Sequence, residues 1–469
     1  MTLKERISDW IDAHEDEMVR DISRLVAIPS VRSEAEPDAP FGRESRRALD
    51  EMIKLCGEYG FATDVYGGAV GSADFNDKPA ALDILGHLDV VGAGEGWSSD
   101  PFKAEVRDGC LYGRGTDDDK GAVVMSLYAM RCLKELGVEL EHGCRLLFGT
   151  DEESGSDDLP YYYSTHKCAP NTFTPDSGFP VYNVEKGTYR PVITRKWPKD
   201  DAPAALVSAK GGFRINVVPG DAEAEICGLD APAALRLGGA AADKCGVELF
   251  AEDVEGGCRI RVAGRQSHAA SPWNGCNAAT ALLAVIATLP LEGGAAECAR
   301  ELSRLLPHGD WRGEASGIAQ SDELSGELTI SANILKIDAD GLYCECDSRV
   351  PLCANDENCR AVFERNFKAA GFEVTGEMAP GHHTPAEGEF VRTLLAAYES
   401  VTGRKGECIA TGGGTYVHDI PGGVAFGAGM PDFEAHMHGV DERIRISDAL
   451  AASKIFALAI AGVCKAKEE

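Results

Sequence analysis

The sequence predicts an α/β protein of two domains, one of which is inserted into the other. A chain of 469 residues is too long for one ordinary hydrophobic core. Residues 1 to about 185 alternate helix-like and strand-like patterns, as a sheet covered by helices would. The pattern differs from about 186 to 382, and the first pattern returns afterwards. We therefore predict a discontinuous domain, 1–185 plus 383–469, and an inserted domain, 186–382.

Hydrophobic periodicity predicts the elements of the first segment in order. Apolar residues from Leu3 to Leu25 recur at helical spacing. The apolar runs 80–86 and 145–149 predict two strands. Residues Lys120 to Leu136 predict a helix, because Val123, Leu127, Met130 and Leu133 share one face and a glycine follows at position 137.

Short strands and Ala/Gly-rich helices are predicted for the middle segment. Residues 224–227 and 259–262 have strand-like sequences, and Asn277 to Leu289 predicts a helix. These elements lack dense acidic motifs. A further helix is predicted from Glu389 to Thr402, before a Gly-rich turn and His438.

Composition excludes some partners. The net charge of −30 would repel nucleic acid and anionic membranes. No run of about 18 apolar residues is present, so we expect no membrane-spanning helix. The longest candidate, Ile455 to Val463, follows a cap-like Ser447-Asp448 and predicts a packed C-terminal helix.

Two features favour a cytoplasmic protein. The N-terminal residues lack the apolar core and small-residue cleavage site of a signal peptide. The 16 cysteines are scattered singly and contain no CxxC pair, so we expect buried free thiols.

Acidic and histidine residues follow apolar runs or lie in Gly-rich turns at several separate places in the chain. Oxygen and nitrogen ligands gathered at strand ends are what a hydrolytic metal centre needs. The candidates are His87, Asp89, Asp118, Glu152, Glu153, Asp176 and His438.

His87 alone would more often be an ordinary core or surface histidine. Asp89 changes this interpretation, because residues i and i+2 of an extended backbone share a face. The carboxylate can then bind the ring nitrogen that faces away from a metal and orient the imidazole.

The run Asp117-Asp118-Asp119 before Lys120-Gly121 is the strongest single motif. Three successive carboxylates would repel one another in an ordinary turn. A helix N-cap is the simpler alternative. A carboxylate at a helix start that also bridges two cations satisfies both interpretations.

Glu152-Glu153 could be a solvated turn, or could divide two tasks. One glutamate would bind metal, and its neighbour would accept a proton from a water whose pKa the metal lowers towards ~7. Asp176 is a weak signal alone. His438 is a moderate one, and His436 competes with it as the ligand.

Taken together, these motifs resemble the co-catalytic zinc metallopeptidase family of dipeptidase V, carnosinases, aminoacylase and the acetylornithine and succinyl-diaminopimelate deacylases. The resemblance is closest to the dipeptidase V branch and covers essentially the whole chain. It implies a mixed-sheet α/β/α catalytic domain with a large inserted α+β lid domain.

The resemblance also implies a role for each candidate. His87 and Asp176 would bind one metal, Glu153 and His438 the other, and Asp118 would bridge them, followed by a cis peptide bond. Glu152 would act as general base and then acid, and Asp89 would orient His87. The family usually has a small residue in place of Asp117, whose charge could tune metal preference or simply face solvent.

Further residues match the family's substrate contacts. His268 would stabilise the oxyanion from the inserted domain, with Asn216 as a second lid residue. Arg349 would clamp the substrate carboxylate, together with a backbone nest at Gly413 and Gly414. Without the resemblance, His268 and Arg349 would be surface residues and the glycines a tight turn.

The resemblance therefore implies a hydrolase that cleaves unblocked dipeptides of varied sequence. Its cofactor would be two divalent metal ions, with Zn²⁺ as the first expectation and Mn²⁺ or Co²⁺ as alternatives. An N-acyl-amino-acid deacylase would use identical machinery, and a non-catalytic metal-binding protein is a further alternative. In dipeptidase V a doubled lid stands in for the partner subunit of its relatives, so we expect a monomer in which His268 acts within its own chain.

Overall fold

The structure is a computed structural model that describes residues 1–198 and 202–467. The chain forms two compact units. The first comprises Met1–Val184, His383–Ile409 and Gly414–Glu469, and the second comprises Glu185–His382 and Ala410–Gly413. Each unit has its own hydrophobic core, as independent domains do.

A mixed sheet forms the centre of the first unit. Strand Ala80–His87 pairs in parallel with Gly143–Gly149 and with Asn171–Thr174. Because parallel strands end at the same edge of a sheet, the residues that follow them are brought together there. The strand order is Ala62–Tyr66, Val70–Asp74, Gly143–Gly149, Ala80–His87, Asn171–Thr174, Gly423–Ala425, Val181–Glu185.

Both faces of this sheet are apolar. Ile84 belongs to the large core cluster on one face, and its neighbour Leu85 belongs to a smaller cluster on the other. Leu146 and Leu147 on the adjacent strand divide in the same way, because successive strand residues point to opposite faces. The predicted mixed-sheet α/β class is confirmed.

Helices of the first unit supply the two covering layers. Helix Lys120–Glu135 is buried along nearly its whole length and ends before Gly137, whose φ of 69° only glycine adopts readily. The helices are Leu3–Ala13, Glu15–Val26, Arg43–Glu58, Lys120–Glu135, Leu159–Tyr163, Glu389–Thr402 and Ile446–Val463. Short strands add a three-stranded sheet, Glu105–Arg107, Cys110–Tyr112 and Arg443–Arg445, and a pair, Ser177–Gly178 and Ala428–Gly429.

The N-terminal amphipathic pattern forms two helices rather than one. The break lies at His14, whose ring Nδ1 contacts the Trp10 carbonyl oxygen at 2.6 Å and whose φ of −111° is not helical. The apolar spacing continues through this break, so periodicity alone does not reveal it.

The C-terminal helix begins earlier than predicted. It begins at Ile446, before Ser447-Asp448, so those residues do not cap it from outside. With 18 residues, Ile446–Val463 is long and apolar enough, by length and composition, to cross a membrane. Its buried residues, including Ile455 and Phe456, belong to the core of the first unit.

The second unit is an α+β structure built on a ten-stranded antiparallel sheet. The main strand order is Glu248–Val254, Gly257–Ala263, Asp221–Cys227, Ala205–Gly211, Thr329–Asp338, Gly341–Val350, Gly187–Tyr189, Met378–Ala379, with Val192–Arg195 and Glu373–Thr375 paired beside it. Its helices are Ala231–Cys245, Ala278–Thr288, Gly293–Leu305 and Ala361–Ala369. Asn277 caps the second helix by accepting a hydrogen bond from the Thr280 amide.

Cysteine burial follows the prediction in most positions. All 16 cysteines are free thiols, and Cys353 is the one exposed cysteine in the described part of the chain. Six others are half-buried rather than buried, among them Cys227.

Candidate metal centre

The candidate ligands lie at the carboxyl edge of the central sheet. His87 is the last residue of its strand, and Glu152 and Glu153 form a 3₁₀ turn after strand Gly143–Gly149. Asp176 follows strand Asn171–Thr174. Asp118 stands just before helix Lys120–Glu135, and a cis peptide bond joins it to Asp119.

These side chains form two groups within the first unit. One group contains His87, Glu152 and Asp176, and the other contains Asp118, Glu153 and His438. Within each group, the ligand atoms lie within 4.8 Å of one another. Each group therefore offers a nitrogen and two carboxylates to one cation.

Asp118 contacts both groups. Its Oδ1 lies 3.0 Å from His87 Nε2, and its Oδ2 lies 2.8 Å from His438 Nε2. Glu153 Oε1 lies 3.1 Å from the same His438 nitrogen. A carboxylate whose two oxygens face two ligand groups is the arrangement that a bridging ligand requires.

The donor set fits two divalent ions. His87 Nε2 is buried and has no well-aligned hydrogen bond among the described residues, although carboxylates surround it. Imidazole nitrogens with carboxylate oxygens suit Zn²⁺ and other first-row divalent ions. The donors alone do not select one of these metals.

Protons balance the charge of the carboxylates in the metal-free protein. Burial lowers the pKa of His438, but hydrogen bonds to Asp118 and Glu153 outweigh it and raise the pKa to about 11. Burial likewise opposes ionisation of Asp118, whose pKa is nevertheless lowered by hydrogen bonds from His438 and His87. A metal ion would replace these protons, because a ligand histidine must be neutral.

Glu152 has the environment of a proton acceptor. Burial, and then the neighbouring Asp176 carboxylate, raise its pKa well above the usual value. General bases are tuned in this direction, because a pKa near the working pH makes proton transfer efficient. Its place beside His87 and Asp176 also makes it a possible ligand in the first group.

Asp89 contacts both His87 and the turn that carries Glu152 and Glu153. Its carboxylate Oδ1 lies 3.4 Å from His87 Nδ1, whereas its backbone oxygen is nearer, at 3.1 Å. The same carboxylate accepts hydrogen bonds from the amides of Glu152 and Glu153, each at 3.1 Å. Asp89 thus links the histidine to the turn that carries both glutamates.

The other two aspartates of the acidic run, Asp117 and Asp119, do not cap the helix through their side chains. Asp119 is at the N-cap position but makes no side-chain cap bond. Its Oδ2 accepts the His87 amide at 3.0 Å. Asp117 is half-buried, and burial followed by the Glu442 and Asp118 carboxylates raises its pKa well above the usual value.

Sequence reasoning missed Glu442 and Arg114. Glu442 Oε1 accepts the amides of Gly115, Asp117 and Asp118 at 2.9–3.2 Å. Glu442 Oε2 pairs with Arg114 Nη1 at 2.5 Å, and both side chains are buried. The signal was present in the sequence, since Glu442 stands four residues after His438 and Arg114 four before Asp118.

His436 lies outside both ligand groups. Its Nδ1 contacts the Val440 carbonyl oxygen at 3.3 Å, and its Nε2 contacts Arg443 at the same distance. His436, His438 and Asp441 all have φ between 55° and 59°, a conformation that costs energy for residues other than glycine and clusters at functional sites.

The second unit holds the predicted oxyanion residue. His268 lies in a short strand, Ser267–His268, that pairs with Val217–Val218. Its Nδ1 accepts the Ala270 amide at 3.1 Å, so the neutral ring carries its proton on Nε2, as a donor. Asn216 lies on the same ribbon, where its carbonyl oxygen accepts the Ala269 amide at 2.9 Å.

Arg349 is a buried residue of a central strand and not a surface arginine. Asp347 holds its guanidinium through Nε at 2.7 Å and Nη2 at 3.1 Å, and the Gly412 carbonyl oxygen accepts from Nη1 at 2.8 Å. The Gly413 amide donates to Thr411 Oγ1 at 3.0 Å. Gly414, which belongs to the first unit, is exposed.

Comparisons with known proteins show the family of the chain. The family described as Peptidase family M20/M25/M40 matches residues 84–462. A Bacillus subtilis protein named "Putative dipeptidase YtjP" is 32% identical over 458 residues, covering 96% of this chain and 98% of that protein.

Two solved structures share the fold. Human carnosine dipeptidase 1 superposes with a TM-score of 0.60 at 16% identity, and the "Novel Di-peptidase Dug1p" of Saccharomyces cerevisiae with 0.60 at 13%. Each comparison covers 99% of both chains.

Proposed function

The chain belongs to peptidase family M20/M25/M40 and is a metallopeptidase, and we propose that it hydrolyses the peptide bond of unblocked dipeptides of varied sequence. One observation carries the proposal. Asp118 contacts the histidine of each ligand group, His87 at 3.0 Å and His438 at 2.8 Å, and Glu152 of the first group has a raised pKa. Dipeptidase names among its relatives support the substrate class.

Two divalent ions would be held by His87 with Asp176 and by Glu153 with His438, and Asp118 would be shared between them. When bound, such ions act as Lewis acids and make water nucleophilic at neutral pH. Glu152 takes the proton of the attacking water and delivers it to the leaving amine. His268, with its proton on Nε2, donates to the carbonyl oxygen as negative charge develops.

Arg349 would hold the free carboxylate of the substrate. Asp347 and Gly412 occupy three of its N–H groups, and a guanidinium has five. The remaining two suit a carboxylate, and the bonds to Asp347 fix the plane of the fork before substrate arrives.

A substrate panel tests the proposed class. We would measure kcat/KM with Zn²⁺, Mn²⁺ or Co²⁺ for dipeptides, tripeptides, and N-acetyl- and N-succinyl-amino acids. Dipeptides should be cleaved and tripeptides poorly or not at all. An acylated amino acid that exceeded every dipeptide by about tenfold (~1.4 kcal/mol of transition-state binding) would identify a deacylase. An inactive panel with metal bound would overturn catalysis altogether.

Metal binding has its own test. Elemental analysis of reconstituted protein should find two divalent ions per chain. Asp118→Ala should weaken both sites because both groups use its carboxylate, whereas His438→Ala should weaken chiefly one. One ion or none in the fully loaded protein would contradict the shared-ligand assignment.

We propose that the enzyme is cytoplasmic. The support is that its 16 cysteines are free thiols, since proteins in oxidising compartments usually pair them. Cell fractionation in the source organism, with antibody against the chain, would find the protein in the cytosolic fraction if this is correct.

A further inference from the structure

Two buried carboxylates hold four consecutive amides beneath the catalytic turn. Asp89 accepts the amides of Glu152 and Glu153. Asp158 Oδ2 accepts the two preceding ones, from Thr150 at 2.6 Å and from Asp151 at 3.0 Å. Each backbone amide from Thr150 to Glu153 is therefore held by a buried carboxylate.

Tyr416 in turn fixes Asp158. Its hydroxyl donates to the same Asp158 Oδ2 at 2.5 Å, and both side chains are buried. The rings of Tyr416 and His87 are in an edge-to-face arrangement, with their centroids 6.2 Å apart and an angle of 88° between their planes. One tyrosine thus contacts both a ligand histidine and the residue beneath the glutamate turn.

Gly149 allows this close approach. A Cβ added there would lie 2.1 Å from the Tyr416 hydroxyl oxygen and 2.2 Å from Asp158 Oδ2. Real Cβ atoms do not approach other atoms so closely, so the hydrogen bond and a side chain at position 149 exclude one another. The hydrogen bond between Tyr416 and Asp158 therefore requires glycine at position 149.

We propose that Asp158 and Tyr416 are a positioning pair for catalysis, which holds Glu152 and Glu153 where the reaction needs them. The inference rests on the proposed function, because it gives the pair a role in that reaction. Neither residue reaches the reacting atoms in this role; both act through the turn. Catalytic groups must be held within about 0.5 Å of their productive geometry, and a 3₁₀ turn has few internal bonds to do this.

A purely structural role is the competing explanation, and the chain offers a matched control. The Tyr128 hydroxyl donates to Asp21 Oδ2 at 2.7 Å, and this pair is also buried in the first unit. Asp21 and Tyr128 lie on helices Glu15–Val26 and Lys120–Glu135, and neither residue is hydrogen-bonded to a residue of the ligand groups. Tyr128→Phe therefore removes a buried Tyr–Asp hydrogen bond elsewhere, together with a 3.2 Å contact between the Tyr128 and Tyr59 hydroxyl groups.

The first measurement needs no metal and no substrate. Hydrogen exchange of metal-free protein should show faster exchange of the 149–155 segment, by at least about tenfold for Tyr416→Phe and more for Asp158→Ala. Tyr128→Phe should leave that segment unchanged. Unchanged exchange in both Tyr416→Phe and Asp158→Ala would overturn the proposal.

The second measurement is kinetic, on metal-loaded protein whose two ions per chain are verified. Tyr416→Phe should lower kcat about 10–100-fold with KM altered less than about threefold, and Tyr128→Phe should keep full kcat. Asp158→Asn retains an acceptor oxygen, so its kcat should be higher than that of Asp158→Ala.

Coupling between the two residues completes the test. Because Tyr416 acts through Asp158, adding Tyr416→Phe to Asp158→Ala should lower kcat no further. If the losses in kcat of the two single variants added fully in the double variant, Tyr416 and Asp158 would have independent roles, and the proposed pair would be wrong. If even the unaltered protein cleaved no substrate, the proposed function would fail, and the exchange result would still decide whether the pair holds the turn.

Discussion

Glu152 and Glu153 are neighbours with the same side chain, yet they lie in different ligand groups. Glu153 lies 3.1 Å from His438, whereas Glu152 lies beside His87 and Asp176. Their amides are bound by the two oxygens of one carboxylate, Asp89. Adjacent residues on a tight turn can therefore carry separate tasks.

Amide substitutions should separate these tasks. Glu152→Gln should retain both metals and lose about 10²–10⁴-fold in kcat, because the proton acceptor is gone. Glu153→Gln should lose metal first, because a ligand is weakened. Metal content by elemental analysis and kcat at saturating metal would decide between them. The reverse behaviour of the two variants would reverse our assignment of roles.

Glu442 should control metal affinity without binding metal. Its bonds to the amides of Gly115, Asp117 and Asp118 set the place of the shared ligand. Glu442→Ala should weaken metal binding by about 10–100-fold, as loss of such supporting residues typically does. Isothermal titration with Zn²⁺ measures this.

Asp441→Asn provides the control for Glu442. Asp441 lies on the same loop but accepts from the Ser98 amide and hydroxyl instead. Metal affinity should change much less in this variant. Equal losses in both variants would mean that general loosening of the loop, and not support of Asp118, explains the effect.

Strand Ala80–His87 carries a buried acid, Asp83, that the site does not use. Its Oδ2 accepts the Ala169 amide, but Oδ1 has no hydrogen-bond partner among the described residues. Burial raises the pKa of Asp83 to about 6. A carboxyl group with a raised pKa favours the folded state fully only below its unfolded value, and this contribution is lost as the pH rises through about 6.

Asp83→Asn should therefore change the pH dependence of stability. The amide stays neutral, so the free energy of unfolding of the variant relative to the native sequence should rise between pH 4 and pH 7. The expected gain is about 2 kcal/mol, because the full shift of the Asp83 pKa to about 6 is worth about 3 kcal/mol at 1.36 kcal/mol per pKa unit, and part of this is already lost at pH 4. Urea unfolding at both pH values measures it. A difference independent of pH would show that Asp83 is not perturbed as described.

Elements with strong periodicity could be predicted from sequence, and their interruptions could not. Helix Glu389–Thr402 has the predicted limits, and Lys120–Glu135 ends one residue early. The break at His14 depends on a local bond to the Trp10 carbonyl oxygen. The start of the last helix at Ile446 precedes the apolar run that predicted it.

The candidate site shows the same limit. Acidic residues after strands indicated where ligands would meet, because strand ends share an edge. Asp158 and Tyr416 are 258 residues apart, and no local pattern joins them. The hydrogen bond from the Glu152 amide to Asp89 could not be predicted either, because every residue except proline has a backbone amide and its partner leaves no sequence pattern.

At the scale of the whole molecule, we expect a monomer in which one chain supplies both His268 and Glu152. Light scattering should give the mass of one chain, 49.8 kDa. Mixing His268→Ala chains with Glu152→Gln chains should restore no activity. An obligate dimer in which the mixture regained activity would show that the two residues come from different chains.

The first unit is discontinuous, so its metal ligands are synthesised in two separate stages. His87, Asp118, Glu153 and Asp176 are made before residues Glu185–His382 of the second unit, while His438 and helix Ile446–Val463 are made after them. That helix is also part of the core around the central sheet. A nascent chain therefore cannot close its second ligand group until the segment that carries His438 has been made. Polypeptides terminated before His438 would lack the one histidine of the second ligand group, so we expect them to bind metal there weakly.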